Sequence, residues 1–468
     1  MSSTRTLLQN QSIEFDVSYN EFSSWQQVGS ETSHLENEHQ SFWYHHVGKA
    51  LGVLLYSAGY STDAQRRSLE FFKQVVAPNL GVFQTTSGDQ KTSWQSFMTD
   101  DGTPLELSWD WGTNDSRPTI RYSVEPIGLQ AGTSLDPRNS LAGPVLQDGL
   151  NRILPDMRLE SFHYFKDFFD GRGEGTLDHK SSILYRLLSS FWGFFTGQEG
   201  EPRCSEDIPD HKSSIFYAFD LTDAETTAKV YFFPKYRAVS SGKSNLEVLL
   251  QGIKGAPHCT ADNLYALSVF SDFSNDAANK DLEYEMLAID LIDPLQSRFK
   301  VYFRSRETSF DSLSRIITLG DRIKNINMQR GLKDLHCLWN AIFGVNAPLG
   351  QPLKEVNHRT AGMLYNVEFR IGDRYPVAKV YLPVRHYSTS DDNVIKGLGE
   401  YFKSHQRGVY MTDYSRAMAK LFGSESLLSQ AGAQTYVGCT IRPDGALRVV
   451  SYFKPPLLDH GASVERGS

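Results

Sequence analysis

Lys229-Val230-Tyr231, Lys300-Val301-Tyr302 and Lys379-Val380-Tyr381 are one tripeptide written three times, about 70 to 80 residues apart. Each copy lies in a run of β-branched and aromatic residues that follows a similar run and a turn signal. That arrangement reads as the second strand of a hairpin. The three hairpins are 213–220 with 226–233, 283–292 with 298–304, and 361–371 with 376–382. Their turns carry Thr222-Asp223, Asp293-Pro294 and Gly372-Asp373. Two more hairpins keep the spacing: 104–111 with 119–126, and 435–442 with 447–453 across Pro443-Asp444-Gly445.

Helical periodicity fills the intervals. Residues 42–58 and 64–76 precede the first hairpin, 161–170 and 181–196 the second, and 245–252 and 260–273 the third. Residues 310–323 and 334–343 precede the fourth, and 393–403 and 415–422 the fifth. Ser61 and Asp63 are capping residues for the second of these helices, and Pro78 stops it. Helix, helix, strand, strand, repeated five times, predicts an α/β fold: ten antiparallel strands closed into a barrel inside a ring of helices. The expected unit is one domain over 1–468, with its core from about 40 to 455 and flexible tails.

Alternation then sorts the side chains. Lys229 and Tyr231 share one strand face and Val230 and Phe232 the other; Arg298, Lys300 and Tyr302 fall together likewise. A lysine turned outward would be buried under the helices, at a large desolvation cost. The face bearing lysine, arginine and tyrosine therefore points into the barrel, which makes the interior a wet binding site.

Composition narrows the function. The net charge is −8 and the basic residues are scattered, which argues against a nucleic-acid partner. No apolar run approaches the roughly 20 residues of a membrane span. The start, Met1-Ser2-Ser3-Thr4-Arg5, lacks the apolar stretch of a signal peptide, so a cytoplasmic location is expected. Cys204, Cys259, Cys337 and Cys439 form no CxxC pair and read as reduced thiols.

The run Ser96-Phe97-Met98-Thr99-Asp100-Asp101-Gly102-Thr103-Pro104-Leu105-Glu106-Leu107-Ser108-Trp109 resembles the fungal dimethylallyltryptophan synthase (DMATS) family of aromatic prenyltransferases. Lys229-Val230-Tyr231-Phe232-Phe233-Pro234 and Lys379-Val380-Tyr381-Leu382-Pro383-Val384-Arg385-His386-Tyr387 resemble it too, and the likeness runs from about residue 42 to 453. It implies the five-repeat ABBA barrel and transfer of a dimethylallyl group from dimethylallyl diphosphate to an aromatic ring, with no metal or other cofactor. The first acceptor class is an indole-containing metabolite (a cyclic dipeptide or indole alkaloid), alkylated in Friedel–Crafts fashion. A phenolic polyketide such as a xanthone is the alternative. The partners implied are an allylic diphosphate and an aromatic small molecule, with a homodimer left open.

Three tasks divide the candidate residues. Arg121, Lys229, Arg298, Lys300, Lys379 and Arg442 supply cations for the diphosphate, which matching family positions bind. Lys379 stands where some members carry a neutral amide. Asp100-Asp101 and Asp391-Asp392 lack the later partner of a magnesium-binding DDxxD motif. Tyr231, Tyr302, Tyr381, Tyr436 and Tyr452 shield an allylic cation. Glu106 faces away from Leu105 and Leu107, into the barrel, and matches the glutamate that takes the acceptor's proton in the family. The bland alternatives are a salt-bridged strand surface, core tyrosines and a solvated glutamate. Arg237 and His386 stay outside the catalytic set. Phe233, and no arginine around Tyr284-Glu285-Met286, depart from members that hold free tryptophan. A non-catalytic carrier of an anionic ligand is the rival from another class, and Glu106 argues against it.

Overall fold

The computed structural model describes residues 22–31, 37–83, 94–114, 116–171, 211–344 and 348–457. Its strands are β1 (Leu105–Gly112), β2 (Thr119–Val124), β3 (Ile215–Leu221), β4 (Thr226–Phe232) and β5 (Glu283–Asp290). They continue as β6 (Phe299–Ser305), β7 (Met363–Phe369), β8 (Val377–Leu382), β9 (Gln434–Ile441) and β10 (Leu447–Phe453). Each strand pairs antiparallel with its neighbours in the chain, and β10 returns to β1, so the sheet is a closed ten-stranded barrel. Closure leaves no strand edge to template aggregation.

Outward side chains form the main core. Leu105, Leu107 and Trp109 of β1 and Ile120, Tyr122 and Val124 of β2 are no more than 1 % exposed beneath the helices. Each such apolar side chain contributes roughly 1.5–3 kcal/mol, so the barrel–helix interface holds the fold. A second, separate apolar cluster lies inside: Ala288, Tyr302, Leu364 and Tyr381, with Tyr231, Met286, Tyr436 and Tyr452 against them.

The helices depart from the sequence reading in instructive places. Ala142–Ile153 was not anticipated, because Gly143, Pro144 and Gly149 obscure it. Pro144 sits in the first turn, where a missing N–H costs nothing, and Leu146 and Leu150 bury one turn apart. Lys235–Ser241 is likewise an extra helix. The expected helix 181–196 and Cys204 lie outside the described residues. The helix expected over 310–323 ends at Ile317, where Leu319, Gly320 and Asp321 turn to positive φ. The segment 334–343 is only the latter part of Ile326–Phe343. The packed body also begins before residue 40. Ser23–Glu31 is a helix whose Trp25 indole donates to the Tyr44 carbonyl (3.3 Å), while Lys73 donates to the Val28 carbonyl (2.7 Å).

Candidate active site

Register places a belt of alternating charge around the barrel wall. First strands of the hairpins supply Asp110, Asp220, Asp290 and Glu368; second strands supply Arg121, Lys229, Lys300, Lys379 and Arg448, and Arg298 sits just before β6. The base of one hairpin stands directly opposite the acid of the next: Arg121 to Asp220, Lys229 to Asp290, Lys300 to Glu368. Side-chain contacts then knit the belt. Arg121 reaches Asp110 (2.6 Å) and Asp220 (3.3 Å), and Lys229 reaches Asp220 (2.5 Å). Asp290 accepts from Arg298 (2.7 Å) and Lys300 (2.8 Å), Arg298 also meets Glu368 (3.5 Å), and Arg448 pairs with Asp110 across the closing seam. Burial alone would raise the Asp110 carboxyl, but Arg121 and Arg448 outweigh it and hold it down at about 2. Asp220 and Asp290 are likewise held below the ordinary carboxylate range by their cations, against the opposing effect of burial.

The pattern breaks once. Opposite Lys379 stands Thr440, not an acid. Among the described residues no carboxylate lies within ion-pair distance of Lys379. Its amine donates to the Tyr452 hydroxyl (2.8 Å) and rides over the rings of Tyr381 (4.3 Å) and Tyr452 (5.1 Å). Burial, and then Arg448 and Arg121, push it down to about 7. Six cations thus face four carboxylates. The imbalance is what a polyanionic ligand would neutralise.

Next to the belt lies an aromatic tier. Tyr231 and Tyr302 rings are 5.7 Å apart, Tyr302 and Tyr381 6.0 Å, Tyr381 and Tyr452 5.5 Å, and Tyr381 and Tyr436 6.2 Å. The hydroxyl of Tyr381 accepts from Asn366 (3.1 Å). Such faces, shielded from water, are suited to an allylic cation at roughly 0.5–2 kcal/mol each.

Glu106 stands one inward step past this tier, since Tyr452 is paired with Ser108. Its Oε1 accepts from the Thr435 hydroxyl (2.6 Å). Burial pushes the Glu106 carboxyl up to about 7, against the Thr435 hydrogen bond and with help from Asp100. A carboxylate poised there suits proton transfer near neutrality. Around it the mouth is polar: Arg304 pairs with Glu285 (2.9 Å) and Arg385 with Asp100 (2.8 Å). Asp100, His358 and His386 have the spacing of metal ligands. The Thr360 hydroxyl, however, already sits among them, 2.7 Å from His386, 2.9 Å from His358 and 3.0 Å from Asp100. With Arg385 neutralising Asp100, this cluster is a hydrogen-bonded clasp and a poor host for a dication.

The structure gathers Glu106, Arg121, Lys229, Arg298, Lys300, Lys379 and all five tyrosines in one lumen. Arg442 is the correction. It follows β9, is exposed, and its backbone closes the β9–β10 turn with Ala446 and Gly445. The cation of that hairpin in the belt is Arg448, which the alternation Arg448, Val450, Tyr452 already signals on the tyrosine's own face. The four carboxylates and the mouth arginines were also unread.

Residues 39–417 match the family model described as tryptophan dimethylallyltransferase. The chain is 34 % identical to the 4-O-dimethylallyl-L-tyrosine synthase of Claviceps purpurea, covering 89 % of this chain and 88 % of that one. It is 28 % identical to the 7-dimethylallyltryptophan synthase of Aspergillus fumigatus, covering 88 % and 84 %. Among solved structures, AnaPT from Neosartorya fischeri superposes with a TM-score of 0.74 at 24 % identity, over 92 % of this chain and 98 % of that one. The NotF prenyltransferase gives 0.73 at 19 % identity, over 92 % and 98 %. These neighbours share the barrel of ten strands inside helices. With the family model spanning most of that barrel, the chain belongs to the tryptophan dimethylallyltransferase family and is a prenyltransferase.

Proposed function

We propose that this enzyme moves a dimethylallyl group from dimethylallyl diphosphate to an indole or phenol ring without a metal ion. One observation carries the reading: a belt with surplus positive charge, a tyrosine tier and a carboxylate near neutrality succeed one another along a single lumen. The diphosphate lies on the belt, with Arg121, Lys229, Arg298, Lys300 and Lys379 as its cations. Arg448 adds to them. As the allylic C–O bond breaks, the leaving pyrophosphate keeps the electron pair and the cation passes against the tyrosine faces. The acceptor ring attacks it while Glu106 takes the proton of the indole N–H or phenol O–H.

An indole is the first acceptor, and NotF is a relative in fold solved with brevianamide F and DMSPP. A phenol is favoured by the relative named for L-tyrosine, at 34 % identity. The enzyme works in the cytoplasm on soluble partners. Among the described residues no helix is long and apolar enough to cross a membrane.

The test is incubation with dimethylallyl diphosphate in EDTA, with L-tyrosine, L-tryptophan, a cyclic Trp-Pro dipeptide or a hydroxyxanthone, read by mass spectrometry. A gain of one prenyl unit is expected with an acceptor. Glu106→Gln should lower kcat about 10²- to 10³-fold while donor binding persists. Turnover that needs added magnesium would overturn the metal-free reading, and near-normal turnover in the variant would remove Glu106 from the chemistry.

A further inference from the structure

In a ring of ten strands, β2 and β3 stand five places from β7 and β8, so the two pairs face each other across the barrel. Neighbours run antiparallel, so β2 and β8 end at the mouth and β3 and β7 begin there. The same end carries the start of β1, with Glu106 as its second residue. The segment 94–103, which leads into β1, is tied to both sides. On one side Glu125, just after β2, accepts from the Trp94 indole N–H (3.0 Å) and the Ser96 hydroxyl (2.5 Å). It also accepts from the hydroxyl of Ser213 (2.7 Å), just ahead of β3. Those two hydroxyls in turn accept from the amides of Met98 (3.0 Å) and Phe97 (3.2 Å). On the far side Asp100 accepts from Thr360, ahead of β7 (3.0 Å), and pairs with Arg385, after β8 (2.8 Å). The segment is therefore a strap across the mouth.

Glu125 is the buried fastening of that strap. It is 1 % exposed, and among the described residues no lysine or arginine lies within ion-pair distance of it. A carboxyl buried without a cation is costly unless hydrogen bonds satisfy it, so three side-chain donors converge on this one. Its own amide donates to the Pro104 carbonyl (2.8 Å), two residues before Glu106. One residue thus holds the strap through its side chain and the start of β1 through its main chain. No step of the transfer itself uses it.

We infer that Glu125 is a positioning residue that holds the 94–103 strap shut over the lumen, so that the allylic cation meets the acceptor ring and not water. This rests on the transferase reading above. Glu125 touches no reacting atom. With the strap loosened, the allylic C–O bond of the donor breaks as before and the pyrophosphate keeps the electron pair. A water oxygen then bonds to the allylic carbon and gives its proton to solvent, which leaves dimethylallyl alcohol and pyrophosphate.

The experiment uses the full chain with Glu125→Gln and Ser96→Ala. Glutamine keeps the volume but sets an amide N–H against a donor; the alanine removes one hydrogen bond and is the milder change. Each protein is given dimethylallyl diphosphate and the acceptors above, and mass spectrometry reads dimethylallyl alcohol against prenylated product. The alcohol fraction should rise on the order of 10-fold in both variants, with donor KM unchanged. Amide hydrogen exchange over 96–103 reads the strap without turnover, and should quicken on the order of 10-fold there while the barrel strands keep their protection. Slower turnover at the native product ratio would overturn the proposal, as would unchanged exchange in the strap. If Glu125→Gln does not fold, Ser96→Ala decides alone. If the native chain alkylates no acceptor, the transferase reading falls, and exchange still decides whether Glu125 fastens the strap.

Discussion

Lys379 and Glu106 both sit near neutrality, and burial is the first cause in each, because it disfavours the charged form of either group. Arg448 and Arg121 lower the lysine further, with Thr440 and no acid opposite it, while Asp100 helps to raise the glutamate. Glu106 must be ionised to accept a proton. With its pKa raised to about 7, turnover is lost as pH falls through that value, well above the range of an ordinary glutamate. Lys379 must be protonated to attract the diphosphate. With its pKa lowered to about 7, donor affinity is lost as pH rises through it, although the bound anion moves this limb upward. The expected kcat/KM for the donor is a narrow bell centred near pH 7, the two limbs belonging to different residues. In Lys379→Gln the alkaline limb should flatten while the acid limb stays, and the loss relative to native should be largest at low pH. An alkaline limb unchanged in the variant would show that Lys379 is not the titrating group.

The element that shapes this corner is β9. Its inward positions carry Tyr436, Gly438 and Thr440, where other first strands of a hairpin place an acid at the belt. A Cβ on Gly438 would lie 2.8 Å from Lys379 Cε and 3.0 Å from the Tyr452 ring, so the glycine is the space that the lysine–tyrosine pair occupies. Gly397 has another purpose: in Asp391–Ser404 it lets that helix approach Ile326–Phe343, where a Cβ would meet the Ala341 carbonyl at 2.6 Å. The two alanine variants should therefore separate. Gly438→Ala should raise donor KM several-fold with little change in Tm, because the end of a lysine can move. Gly397→Ala sets backbone against backbone and should cost about 1–3 kcal/mol of stability with an unchanged KM. Thermal melts and donor kinetics on both proteins check this, and the reverse assignment would refute it. The same strands explain what could be read from the chain. A period of two with unlike faces is visible in sequence, so ten strands and the inward lysines and tyrosines were legible. Arg442 was assigned in place of Arg448 because it too has the parity of the inward set, and only the turn at Pro443 takes it out of the lumen. Helices carrying Gly and Pro, such as Ala142–Ile153, hide their period. Arg359 reaches Thr99 across 260 residues, and no local pattern encodes such a meeting.

At the scale of the whole barrel, the belt is a charge arrangement left incomplete by the protein alone. Its acids are each held by at least one base, while the cations outnumber them by Lys379 and one more. Burying charge is costly unless it is matched, so an unmatched surplus favours binding of a polyanion over extra stability of the empty barrel. Inorganic pyrophosphate should therefore raise Tm in the presence of EDTA, since a ligand at a hundredfold excess over its Kd adds about 2.7 kcal/mol. Asp290 is the lever on this balance, as it accepts from both Arg298 and Lys300. Asp290→Asn keeps the shape and removes the charge. It should destabilise the empty protein by about 3 kcal/mol or more, as the loss of one partner of a buried pair does. Its stabilisation by pyrophosphate should exceed that of the native chain, because the ligand then offsets a larger imbalance. A variant that melts lower and gains no more from pyrophosphate would mean that the belt is structural. A native protein whose Tm pyrophosphate raises only when magnesium is added would mean that the surplus is too small to hold the leaving group unaided.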